Sequence, residues 1–129
     1  MDAHSVSLTA AEWNVMECLW EHSPRTGREI SLQMQERCGW SRSTTLTLLS
    51  RLEAKGAVAG DDDTGKKVFS PLVGREDAAL QEAESFLERA YKGSVSRMVS
   101  ALTRKQPLAQ EEIDELYAIL KRMEADGDD

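Results

Sequence analysis

Residues 39–56 read GWSRSTTLTLLSRLEAKG, and between Ser41 and Ser50 six of them carry hydroxyls: Ser41, Ser43, Thr44, Thr45, Thr47 and Ser50. Ser and Thr are mediocre helix formers, because their side chains compete for nearby backbone groups and Thr is β-branched. A helix is still expected from Ser41 to Lys55. Ser41 is a good N-cap, and Gly56 stands where a left-handed residue would end the helix. At about 100° per residue, Thr45, Leu48, Leu49 and Leu52 fall on one side, which packs inward. Ser43, Thr47, Ser50 and Ala54 fall opposite. Leu46 lies on one flank, with Thr44 and Arg51 on the other.

The outward face is short, polar and mostly uncharged, with Arg42 at its start and Arg51 further along. Small side chains let a helix lie close in a DNA major groove. Hydroxyls can meet base edges or phosphates, Arg51 can hold a phosphate or a guanine, and Leu46 can meet a thymine methyl. The competing reading is a solvated face of indifferent polar residues, but such a face is usually richer in Glu and Lys.

Upstream, Thr9 and Glu12 form one capping box and Thr26 and Glu29 a second. The first opens a helix with the apolar set Trp13, Val15, Met16, Leu19 and Trp20, ended near Pro24. The second opens a helix to about Arg37 that buries Ile30 and Met34, with Leu32 as a further candidate. Downstream, Ala57-Val58-Ala59 and Val68-Phe69 flank the turn-rich Asp62-Asp63-Thr64-Gly65, which reads as a β-hairpin. Three helices and a hairpin, with a short turn between helices two and three, make the order of a winged helix-turn-helix. Lys66 and Lys67 on this wing could touch phosphates. Asp61, Asp62 and Asp63 would be repelled by them, so a wing that stays off DNA is the alternative.

From Arg75 the pattern changes to long helices. Leu80, Ala83, Leu87, Ala90 and Tyr91 recur at three and four, and Lys92-Gly93-Ser94 is a break. Val95, Met98, Val99 and Leu102 continue the stripe. After Pro107, a last helix carries Ile113, Leu116, Tyr117, Leu120 and Met123.

The 129 residues suffice for one domain, or a small domain with an appendage. No apolar run approaches a membrane span, and the start has no basic region followed by an apolar stretch, so neither insertion nor a signal peptide is expected. Two cysteines, Cys18 and Cys38, fit reduced cytosolic thiols, with a disulfide between them left open. The net charge of −7 argues against nucleic acid only until it is mapped. Residues 25–55 hold six basic groups (Arg25, Arg28, Arg37, Arg42, Arg51, Lys55) against three acidic ones (Glu29, Glu36, Glu53), while residues 74–129 supply most of the acidity.

No enzyme site emerges. His4 and His22 are isolated, and His22 sits at a helix end. The acidic runs read as solvated faces, the glycines as turn residues, and the cysteines lack partners at metal-ligand spacing. No cofactor or metal is expected.

"LTAAEWNVMECLW", "TGREI", "GWSRSTTLTLLSRLEAKG", "SPLVGRED", "ESFLERAYKGS" and "LAQEEIDELYAIL" together resemble the penicillinase-repressor (BlaI/MecI/CopY) family over about residues 8 to 120. The resemblance implies a mostly α protein: a winged helix-turn-helix DNA-binding domain over 1–73, then a helical dimerisation domain over 74–129. It implies a cytoplasmic homodimeric repressor reading a pseudo-palindromic operator. Thr44, Thr47 and Arg51 match the family's DNA-facing pattern. With Arg42, Ser43, Leu46, Ser50, Lys66 and Lys67 they make the expected DNA-binding set. Leu87, Tyr91, Val95, Met98, Val99 and Leu102, with Ile113, Leu116, Tyr117 and Leu120, make the expected dimer face. Inducible members answer a membrane sensor-protease system and are cut in the C-terminal domain; Ser100, Ala101 and Leu102 are the matching segment.

Three departures stand out. Leu46 occupies a position that is basic in some relatives. The wing is acidic where relatives are often more basic. Ala109 replaces a usual capping Ser. The closely spaced cysteines of the copper-responsive branch are missing. A winged-helix module that docks a protein and not DNA is the alternative reading.

Overall fold

A computed structural model describes residues 6–62 and 65–127. In chain order the elements are α1 (Ala10–Glu21), β1 (Arg25–Thr26), α2 (Gly27–Cys38), α3 (Arg42–Lys55), β2 (Val58–Asp61), β3 (Val68–Pro71), α4 (Arg75–Tyr91), α5 (Val95–Lys105) and α6 (Gln110–Gly127). His4, Asp63 and Thr64 lie outside the described residues.

Both capping boxes form. The Thr9 hydroxyl accepts from the Glu12 amide while the Glu12 carboxylate accepts from the Thr9 amide, and Thr26 and Glu29 repeat the exchange. Each pair satisfies two of the backbone donors that a helix start leaves open. Gly39 and Gly56 end α2 and α3 at φ 72° and 82°. At Gly56 the Ala57 amide reaches back to the Leu52 carbonyl (2.9 Å) and the Gly56 amide to that of Glu53 (3.1 Å), the paired bonds of a Schellman ending.

The chain divides into two compact units after Ser85, inside α4. The first reaches past the change of pattern at residue 74 because Val73 and Ala78 enter its core and the Val6 amide donates to Gln81 Oε1 (2.8 Å). That core joins Val15, Met16 and Leu19 of α1, Ile30 and Met34 of α2 and Leu48, Leu49 and Leu52 of α3 to Val58 and Phe69 of the sheet. Trp20 packs against it and donates its indole N–H to the Val73 carbonyl (2.9 Å).

Two details differ from the sequence expectation, and the cysteines follow it. Leu32 is 56% exposed, and Ser31 is buried instead. At helical spacing Ser31 and Met34 stay on the side of Ile30, whereas Leu32 rotates about 200° away. The hairpin gains a third strand: β1 pairs with β3, setting Arg25 opposite Phe69, so the sheet order is β1-β3-β2. Cys18 and Cys38 are both free; Cys18 is buried, with its thiol donating to Gln33 Oε1 (3.1 Å), and burial pushes its pKa up.

In the second unit, Lys92 and Gly93 take left-handed conformations (φ 50° and 83°) and Ser94 caps α5. None of its described residues is buried.

Candidate nucleic-acid interface

Helix α3 is held from behind. Thr45, Leu48, Leu49 and Leu52 are buried, while Arg42, Ser43, Thr44, Leu46, Thr47, Ser50 and Arg51 are exposed. The split follows the angular assignment made from sequence. Near the start of the helix the Ser41 hydroxyl does several jobs. It accepts from the Thr44 amide (3.2 Å) and bonds the hydroxyls of Ser43 (3.2 Å) and Thr44 (3.0 Å). Ser43, Thr44, Thr47, Leu48 and Arg51 line an open concavity of about 230 Å³.

The other end is tied to α1. Lys55 Nζ donates to Glu12 Oε1 (2.5 Å) and to the Ser7 carbonyl (2.9 Å). Burial alone would raise the Glu12 pKa, but the Lys55 ammonium and the Thr9 amide outweigh it and hold the carboxyl below its ordinary value.

The two wing lysines separate. Lys66 is exposed. Lys67 pairs with Glu53 of α3 (3.0 Å) and lies over the Phe69 ring, 5.3 Å from its centroid. Its stem crosses Gly60, where any Cβ would collide with it. Asp61 and Asp62 are exposed nearby. Leu46 stands on the same flank as Glu53. Its Cδ2 lies 3.3 Å from where a Cβ on Gly27 would be, with Phe69 Cε2 at 3.7 Å.

Glu53 and Gly27 are therefore missing from the sequence-derived set. Glu53 follows Leu46 by seven residues, a spacing that returns to the same stripe of a helix. Gly27 carried no signal, because its neighbour Leu46 belongs to a different helix.

Among the expected dimer-facing residues, Leu87, Tyr91, Met98, Val99, Ile113 and Leu116 are half-buried. Val95, Leu102, Tyr117 and Leu120 are exposed, Leu102 by 61%. Ser100, Ala101 and Leu102 fall in mid-α5, followed by Thr103, whose hydroxyl donates to the Val99 carbonyl (2.8 Å). Among the described residues no metal-binding cluster occurs, and no helix is long and apolar enough to cross a membrane.

The family model described as Penicillinase repressor matches residues 8–122. The chain belongs to the penicillinase repressor family. Within that family it is 33% identical to the penicillinase repressor of Bacillus licheniformis, over 88% of this chain and 89% of the relative. It is 30% identical to the methicillin resistance regulatory protein MecI of Staphylococcus aureus, over 95% and 99% of the two chains. The solved BlaI of Bacillus licheniformis, in its monomeric form in complex with the blaP half-operator, matches 55% of this penicillinase-repressor chain and 87% of its own, with a TM-score of 0.50 at 30% identity.

Proposed function

We propose that the chain represses transcription as a homodimer on a pseudo-palindromic operator, each α3 entering a major groove. Ser43, Thr47 and Ser50 face base edges, with Arg42, Thr44 and Arg51 beside them for phosphates or a guanine. One observation carries this reading: a buried leucine side fixes α3 while its outward face stays small and polar, in a chain similar to a repressor solved with a half-operator. Lys66 adds a phosphate contact from the wing. Lys67 joins only by exchanging the Glu53 carboxylate for a phosphate.

The second unit supports the dimer. A stripe with Leu102, Tyr117 and Leu120 exposed is costly in water, and an isologous partner would cover it. The repressor works in the cytoplasm, and a sensor-protease system would relieve it by cutting near Ser100, Ala101 and Leu102. Because that segment is helical, α5 has to open before a protease can bind it.

A gel-shift titration of the full chain on the DNA upstream of its own operon tests the proposal. The logarithm of affinity should fall linearly with the logarithm of salt concentration. Arg51→Ala should weaken binding about tenfold or more. A double Arg51→Ala, Thr47→Ala variant that binds as the parent does would overturn the reading and favour a protein-docking module. Sedimentation at micromolar concentration should show a dimer.

A further inference from the structure

Four large apolar side chains stand exposed among the described residues of the first unit: Leu32, Leu46, Leu72 and Leu80. Leu46 alone belongs to α3. It is 37% exposed, yet it is not loose. Its Cδ2 packs close to Gly27, 3.3 Å from where a Cβ there would stand, with the Phe69 ring 3.7 Å from the same point. One methyl thus lies close to the start of α2, and the residue as a whole keeps more than a third of its surface exposed.

We propose that Leu46 is a specificity-determining residue that recognises the 5-methyl group of a thymine, and that Gly27 positions it. The inference rests on the DNA reading above and names what one flank of that surface selects. At a major-groove edge only thymine offers a methyl; cytosine presents an amine donor, and guanine and adenine present acceptors. A leucine can satisfy none of the polar groups, and covering them without a partner is unfavourable. The nearby polar groups on this flank do not substitute, since Glu53 and Lys67 pair with each other and Lys67 would leave that pair for a phosphate, not for a base edge. Arg51 lies about 140° away around the helix, so it meets a different part of the groove.

The test needs no knowledge of the natural operator. The full chain first selects its preferred duplex from a random pool. Each thymine of that duplex is then replaced singly by deoxyuridine, which lacks only the methyl. Each half-site should hold one thymine whose replacement weakens binding about fourfold, the effect of exposing one buried methyl-sized group. Leu46→Ala should bind the thymine and deoxyuridine duplexes equally. Gly27→Ala places a Cβ against Leu46 Cδ2, so its thymine-to-deoxyuridine ratio should fall toward one. If Gly27→Ala keeps the parental ratio, the positioning role is overturned. A selected site with no methyl-sensitive thymine, or a ratio that survives Leu46→Ala, overturns the recognition. If the chain selects no duplex at all, the DNA reading itself fails.

Discussion

Lys55, on the last turn of α3, reaches a carboxylate on α1 that is only 1% exposed: its Nζ lies 2.5 Å from Glu12 Oε1. The same carboxylate closes the capping box of α1. One charge pair therefore locks the end of the outward-facing helix to the beginning of another. Lys55→Met leaves that buried carboxylate short of a partner and should cost about 1–3 kcal/mol in urea unfolding near neutral pH.

The same pair predicts a pH dependence. The Glu12 pKa is lowered on folding, so its contribution is fully present above the unfolded value of about 4.3 and is lost as pH falls through the lower folded value. The stability gap between the parent and Lys55→Met should hold at neutral pH and narrow below about pH 4. Urea midpoints across acidic pH would read it. A gap that widened on acidification would contradict the assignment.

Glu53 holds the Lys67 ammonium at 3.0 Å, so on the proposed DNA reading it would compete with a phosphate for it. Glu53→Gln should free the wing lysine and remove a negative charge beside the DNA. The slope of log affinity against log salt should steepen by about 0.9, one additional phosphate contact. An unchanged slope in the gel-shift titration would mean that Lys67 stays off the backbone.

Gly56 ends α3 at φ 82° with nothing near the position of a Cβ. Gly56→Ala should therefore cost only the backbone penalty, about 1–2 kcal/mol. Thermal unfolding should register the loss while the circular dichroism of the folded protein stays the same.

Leu102 and Leu120 are exposed in the single chain. Changing both to Asp should leave the first unit folded but give monomers in sedimentation. Affinity for a palindromic duplex should drop by about a hundredfold or more, while half-site binding changes little, because the linkage between two half-sites is lost.

What was legible in the sequence was local. Thr9 with Glu12, Thr26 with Glu29, Ser41 and Gly56 each act within one turn of their own helix, so spacing alone revealed the ends of three helices. The inward leucines of α3 were legible for the same reason, since their period is fixed by the helix they sit on. The missing pieces join distant segments. β1 is two residues long and becomes a strand only because β3 lies beside it. Lys67 looked available until the fold set Glu53 against it. Leu46 stood on a flank in sequence, and its close packing beside a glycine of another helix appears only in the fold.

The hydroxyl network at the head of α3 separates what this surface can change from what it must keep. Ser43, Thr47 and Ser50 sit outside the core, so exchanging them should cost little stability, within about 0.5 kcal/mol for ordinary surface positions. Ser41 differs, because the oxygen that caps the helix also bonds the hydroxyls of Ser43 and Thr44. On the proposed reading, operator preference could therefore diverge among descendants of this chain through the outer positions on a constant scaffold. A change at Ser41 would disturb the helix cap and the placing of two outward hydroxyls together, so selection would act on both at once.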